Sequence, residues 1–177
     1  VAPRLAPDPD SLPPTRFGER LPAWRQAEWP QDLRVVGVHV HLHGYSEADR
    51  RTALAEAIAL VEHVRALGQP ADFIDIGGGV PMSYLKSREQ WENYLERIAS
   101  QRAGTGEPFT WKSDPLSNTY PFWQEPTRGQ WLDQLLSGEV PGYGTAGTAL
   151  RERDIALHLE PGRSLLDGCG VILTEVS

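Results

Sequence analysis

Short, β-branched apolar runs alternate along this chain with amphipathic helical segments, and that alternation limits the folds it can adopt. Residues 33–41, LRVVGVHVH, are apolar almost throughout, which is typical of a strand covered on both faces. Apolar side chains then recur at helical spacing over residues 47–67, and residues 71–76 and 155–159 repeat the strand pattern. Because strands separated by helices of this length form parallel β/α units, the sequence predicts an α/β fold.

Serines and a glycine predict where the helices begin and end. Ser46 stands three residues before Asp49, and Ser87 stands three before Gln90, a spacing typical of helix N-termini. Gly68 predicts the end of the first of these helices.

Two segments do not follow the alternation. Prolines crowd residues 7–30 and exclude a long helix or a central strand there, so an extended segment is expected. Residues 101–144 are rich in proline, glycine and aromatic side chains. They are too apolar for a disordered linker, and we interpret them as an ordered, irregular insertion with a short helix near residues 130–136.

Composition excludes several classes of function. The 177 residues hold 24 acidic and 17 basic side chains with no basic run, so no nucleic-acid partner is expected. No apolar stretch is long enough to cross a bilayer, and the single cysteine cannot form an internal disulfide, which fits a cytoplasmic protein. The first residue, Val1, and the strand-like ending VILTEVS lead us to expect a piece of a longer protein.

Polar residues and glycines follow each of the three predicted strands. They are His39, His41 and His43 at the first, Gly77, Gly78 and Gly79 at the second, and Glu160, Pro161, Gly162 and Arg163 at the third. In parallel β/α folds the carboxyl ends of the strands carry the binding site. Three glycines in a row allow close approach of backbone N–H groups to an anion, so a phosphate is the expected ligand.

Each of these features also has a purely structural explanation. The glycines could simply form a tight turn, Glu160 could be a solvated carboxylate, and His39 could be a hydrogen-bonded core residue. His63 lies within a predicted helix, so a structural role is expected for it. His158 precedes Glu160 by two residues in a predicted strand, so the two side chains could share a face. A dinucleotide-binding glycine pattern is disfavoured, because no third glycine stands at the required spacing.

Three motifs carry a resemblance to a known family. GVHVHLHGYS, FIDIGGGVPMSY and LEPGRSLLDGCGVILTEV, in that order, resemble the fold-type-III pyridoxal 5'-phosphate (PLP) decarboxylases, which include diaminopimelate, ornithine and arginine decarboxylases. Arg16, Phe17 and Gly18 match a further motif of that family. The resemblance implies that residues 1–170 form the C-terminal half of an alanine-racemase-like (β/α)8 barrel. It also implies that residues 171–177 begin a C-terminal β domain. An amino-acid substrate and a homodimer are implied as well.

The same resemblance implies roles for individual residues. His41 would stack on the pyridine ring, Gly77, Gly78 and Gly79 would hold the phosphate, and Glu160 would bind the ring nitrogen. Arg163, within the Glu160-Pro161-Gly162-Arg163 motif, would contact the phosphate or a substrate carboxylate. The family has His-x-Gly-Ser where this chain has His41-Leu42-His43-Gly44-Tyr45-Ser46, so Ser46 is either the displaced phosphate ligand or only a helix cap.

Lysine is scarce in this chain. PLP enzymes bind the cofactor as a Schiff base on a lysine, and Lys86 and Lys112, the two lysines here, are not at predicted strand ends. The resemblance implies a Schiff-base lysine upstream, so this segment is expected to be inactive alone. Two other functions stay open: a metal-dependent hydrolase using His39 and His41 with Asp75, His158 or Glu160, and a PLP-binding barrel without catalysis.

Overall fold

A computed structural model describes residues 1–116, 120–167 and 169–170. The helices are α1 (Leu21–Gln26), α2 (Glu47–Ala66), α3 (Arg88–Arg102), α4 (Arg128–Ser137) and α5 (Ala146–Glu152). The strands are β1 (Gly37–His39), β2 (Phe73–Asp75), β3 (Thr110–Trp111), β4 (Asp114–Pro115), β5 (Glu139–Val140), β6 (Gly144–Thr145) and β7 (Ala156–His158). A single 3-10 turn, Gly162–Ser164, follows β7.

A parallel sheet in the order β1-β2-β7 organises the chain. Val38 pairs with Ile74, and Ile74 pairs with Leu157, so the three strands end at the same level. The α/β class with a parallel sheet is therefore confirmed. The strands are shorter than the apolar runs that predicted them, although Val35 and Val40, which flank β1, are fully buried.

One face of the sheet is covered by helices. Leu54, Ile58 and Val61 of α2 are completely buried and belong to the same core as Val38 and Ile74. Ser46 caps this helix by accepting the N–H of Asp49, as the sequence predicts.

The predicted insertion at residues 101–144 consists of two structurally different parts. Its first part contains the β3–β4 hairpin. Its second part contains α4, which packs on α2. Trp131 and Leu135 of α4 are buried in the main core, and α5 packs against both helices. The second part is thus a regular component of the helical layer.

The opposite face of the sheet is only partly covered. Phe73 of β2 stacks on His158 of β7 with ring centroids 4.4 Å apart. The N-terminal segment lies along the outer edge of the sheet, beside β1, where the N–H of Leu5 donates to the carbonyl of His39 at 2.8 Å. The predicted strand at residues 171–176, and with it the proposed start of a second domain, lies outside the described residues.

In the described part of the chain, the helices are too short or too polar to cross a membrane.

Gly37 provides a test of the packing between β1 and β2. A Cβ atom there would lie 2.5 Å from the Phe73 ring, so Gly37→Ala should lower the free energy of unfolding by about 1–3 kcal/mol through overpacking. Urea denaturation measures this change. Gly129→Ala is the matched control, because nothing lies within 4 Å of a Cβ atom at that position. Equal stability of the two variants would contradict this packing.

Candidate cofactor site

Parallel pairing brings three loops together at the carboxyl edge of the sheet. His41 follows β1, Gly77 follows β2, and Glu160 follows β7. His41 Nδ1 lies 3.2 Å from Glu160 Oε2, and the backbone N–H of Glu160 donates to the carbonyl of Gly77 at 2.9 Å. The imidazole, the carboxylate and the first glycine therefore form one continuous cluster.

The glycine loop approaches this pair so closely that a side chain at Gly77 would not fit and one at Gly78 would be tight. A Cβ atom at Gly77 would lie 2.6 Å from His41 Nδ1, and one at Gly78 would lie 3.1 Å from the Glu160 carbonyl oxygen. Gly77 has φ +70° and Gly79 has φ +81°, conformations that L side chains rarely adopt. The N–H of Gly77 donates to Asp75 Oδ1 at 2.8 Å, which fixes the start of the loop.

Arg50 of α2 fixes the far end of the loop. Its side chain is buried, with 1% exposure, and it is the one buried charged residue in the described part of the chain. Its Nη2 atom donates to the carbonyls of Gly78 at 2.6 Å and Gly44 at 3.0 Å, and Nη1 donates to Ser46 O at 2.9 Å. Burial lowers the pKa of Arg50, while the carboxylates of Asp49 and Glu47 oppose that shift.

The His39 ring packs edge-on against the His41 ring, with the two ring centroids 5.7 Å apart. Burial is the main cause of a lowered pKa at His39, against the opposing effect of Asp75, and it favours the neutral imidazole. Within the described residues, His39 Nε2 is buried without a hydrogen-bond partner. His39, His41 and Glu160 each offer one ligand atom, and these atoms lie within 4.8 Å of one another.

The other two ligands suggested for a metal-dependent hydrolase are not in that cluster. Asp75 accepts the N–H of Gly77, and the His158 ring stacks on Phe73 of the neighbouring strand. The geometry alone is thus compatible with either a three-ligand metal site or a site for an organic cofactor.

Comparison with known proteins distinguishes these possibilities. Residues 14–110 match the family model of the pyridoxal-dependent decarboxylases, pyridoxal binding domain. The chain belongs to this family. The cofactor of such a pyridoxal-binding domain is pyridoxal phosphate, as the sequence motifs imply.

Two curated relatives are similar to parts of this pyridoxal-binding domain. An uncharacterized protein, y4yA, of Sinorhizobium fredii (strain NBRC 101917 / NGR234) is 33% identical over 146 residues, which is 82% of this chain and 30% of the relative. A biosynthetic arginine decarboxylase of Pseudomonas aeruginosa is 38% identical over 61 residues, or 34% of this chain and 10% of the relative. The chain thus spans less than a third of the length of either relative.

Beside the glycine loop, the pyridoxal-binding domain has an open cavity of about 650 Å³. It is lined by His41, Leu42, His43, Gly44, Tyr45, Gly79, Tyr120 and Pro121. Arg163 contacts two of these lining residues: its Nη2 donates to the Tyr45 hydroxyl at 3.0 Å, and its guanidinium lies 4.4 Å from the centroid of the Tyr120 ring. Arg163 is therefore held by aromatic side chains, one of which comes from the predicted insertion.

The remaining predicted site residues are spread around this cluster. Pro161 and Gly162 form the turn between Glu160 and Arg163. Ser46 Oγ accepts the N–H of Asp49 and so acts as a helix cap, while its hydroxyl proton remains available to an anion. Lys86 is exposed in the loop before α3, and Lys112 lies in the β3–β4 turn, so neither ends a strand of the parallel sheet.

Sequence reasoning missed Arg50 and the tyrosines around Arg163. A signal for Arg50 was present: it precedes Leu54 by four residues and Ile58 by eight, so it occupies the apolar stripe of α2. A charged residue at a core-facing position requires buried acceptors. Tyr120 had no comparable signal, because no periodicity relates it to the strand ends.

The lowered pKa of His39 predicts a change of stability with pH. In the unfolded chain His39 has its ordinary pKa of 6.5. As the pH falls through that value, the unfolded state therefore binds more protons than the folded state does. The stability contributed by neutral His39 is thus present above this pH and lost below it. We expect His39→Asn to lose less free energy of unfolding than the wild type between about pH 7.5 and pH 5.5.

Urea unfolding at several pH values measures this difference. The exposed residue His43, changed to Asn, is the matched control. The same loss of stability in the wild type and in His39→Asn would show that His39 does not cause the pH dependence.

Proposed function

We propose that this chain binds the phosphate and the pyridine ring of PLP in an amino-acid decarboxylase. The observation that carries the proposal is the 3.2 Å contact between His41 and Glu160 directly beside Gly77 and Gly78. We further propose that residues 1–170 are part of a (β/α)8 barrel and that a β domain begins near residue 171. A homodimer and a cytoplasmic location are proposed for the complete protein.

For the phosphate, we propose the loop of Gly77, Gly78 and Gly79 together with Gly44. A loop without side chains admits an anion close to its backbone N–H groups. Helix α2, of 20 residues, begins three residues after Gly44 and adds the positive end of its dipole. The Ser46 hydroxyl is a further candidate donor.

For the ring, we propose that His41 fixes the plane and that Glu160 faces the ring nitrogen. PLP, when bound, takes up the electron pair that an amino-acid substrate releases on losing carbon dioxide. A carboxylate beside the ring nitrogen holds a proton there, because the negative charge favours the protonated form. Glu160 Oε2 already lies 3.2 Å from His41 Nδ1, so the carboxylate stands beside the imidazole that would fix the ring plane. Arg163 is the proposed contact for the phosphate or the substrate carboxylate.

The alternatives are less well supported. A metal centre would use His39, His41 and Glu160, but the family match is to a pyridoxal-binding domain, which favours an organic cofactor. A PLP-binding barrel without catalysis would share the same site, and turnover of amino acids by the complete protein separates it from a decarboxylase.

The role of Glu160 is tested at the ring nitrogen itself. With PLP labelled with ¹⁵N in the ring, the chemical shift of the bound nitrogen reports its protonation. We expect a protonated nitrogen in the wild type at pH values where free PLP has lost that proton, and a neutral one in Glu160→Gln. In the complete protein, the same change should raise the decarboxylation barrier by about 2–4 kcal/mol while PLP is retained.

Glu152→Gln is the matched control, because Glu152 is an exposed carboxylate on α5. An identical nitrogen shift in the wild type and Glu160→Gln would remove Glu160 from this role. Failure of the wild type to bind PLP while it binds zinc would favour the metal centre instead.

The two lysines give a separate prediction. Because neither ends a strand of the parallel sheet, we propose that a residue outside this segment forms the covalent bond to PLP. After reduction with borohydride, peptide mapping by mass spectrometry should find no PLP on Lys86 or Lys112. Stoichiometric labelling of either lysine, lost on its replacement by Arg, would contradict the proposal.

A further inference from the structure

We propose that Arg50 is a positioning residue that gives this site its preference for a phosphorylated ligand. The inference rests on the proposed function, because it concerns the loops that would hold the cofactor phosphate. Arg50 does not itself face the cavity; it acts through the backbone of Gly44 and Gly78.

Arg50 joins the loop after β1 to the loop after β2, beyond the last paired residues of these two strands. A single nitrogen, Nη2, binds the carbonyl of Gly44 after β1 and the carbonyl of Gly78 after β2. Charge-assisted hydrogen bonds of this kind are shorter and stronger than those between neutral groups. The position of the guanidinium thus sets the separation of the two loops.

The direction of these carbonyls determines where the adjacent amides point. In a trans peptide the C=O and the following N–H point in opposite directions. Because the carbonyls of Gly44 and Gly78 face Arg50, the N–H groups of Tyr45 and Gly79 face away from it. Neither N–H donates to another described residue, and both residues line the cavity of about 650 Å³. Two unpaired donors at one cavity are suited to a phosphate.

The surroundings hold Arg50 in this position. Its guanidinium lies 5.3 Å from the centroid of the Trp131 ring, and Trp131 Nε1 donates to the carbonyl of Tyr45 at 2.8 Å. A Cβ atom at Gly79 would collide with Arg50 Nη2 and with the carbonyl oxygen of Gly44. The glycine loop and the buried arginine are therefore complementary in shape.

Arg65 on the same helix separates a local effect from general stabilisation. It also donates three hydrogen bonds to backbone carbonyls, those of Ala71 at 2.5 Å, Arg153 at 2.6 Å and Asp154 at 3.0 Å. These acceptors lie before β2 and β7, at the opposite edge of the sheet from the cavity. Arg65→Met thus removes a similar set of bonds without touching the proposed phosphate loops.

The experiment compares PLP with pyridoxal, which lacks the phosphate, by isothermal titration calorimetry. Circular dichroism first confirms that each variant is folded. For Arg50→Met we expect PLP to bind about ten-fold more weakly, while pyridoxal affinity changes by less than about three-fold. Arg65→Met should keep the wild-type ratio of the two affinities even if its free energy of unfolding is lower.

A ratio unchanged in folded Arg50→Met would overturn the inference, as would an equal loss of both affinities. If Arg50→Met does not fold, Arg50→Lys decides, because one ammonium can replace Nη2 but has a shorter reach. The ratio of PLP affinity to pyridoxal affinity in Arg50→Lys should lie between the wild-type ratio and one. A wild-type ratio would again overturn the inference. Wild-type protein that binds neither ligand, or both equally, would refute the proposed phosphate site itself and not only the role of Arg50.

Discussion

The parallel sheet of β1, β2 and β7, packed against α2, positions the residues that we propose as ligand contacts. Strands that run in the same direction and in register must end at the same edge, so the residues that follow them converge however far apart they are in sequence. His41 and Glu160 are separated by more than a hundred residues and still meet at 3.2 Å. The burial of apolar side chains between sheet and helix provides the free energy that maintains this arrangement.

The order of the main elements, β1-α2-β2-α3-α4-β7, was predictable because it depends on periodicity. Residues 47–67 were predicted as a helix, and α2 occupies Glu47–Ala66. Strand lengths were overestimated, since apolar runs report burial and not pairing. The N–H of Val35, for example, donates to the side chain of Gln69 and lies outside the ladder. Helix α4 was predicted, but its place in the core was not, because the surrounding prolines and aromatic residues concealed its buried stripe.

The ends of the strands were recognisable from residue type. Histidine, consecutive glycines and Glu-Pro-Gly-Arg are unusual at such positions, so they could be identified without coordinates. The position of Arg50 in the apolar stripe of α2 indicated its burial, but not the groups that it binds. Arg50 acts through carbonyl oxygens of the backbone, and sequence contains no record of where a carbonyl points. Tyr45 and Tyr120 reach Arg163 through loops whose paths depend on the whole fold.

Tyr45 lines the cavity and connects it to both Arg50 and Arg163. Its N–H belongs to the peptide that Arg50 orients, its carbonyl accepts from Trp131, and its hydroxyl accepts from Arg163. An anion bound at that N–H and a ligand bound at Arg163 therefore share Tyr45 as a common neighbour, the first through its backbone and the second through its side chain. Any change in the affinity of one that is transmitted through Tyr45 must appear, by thermodynamic reciprocity, as an equal factor in the affinity of the other. Binding at one of these two places would then change the affinity at the other before any bond is broken.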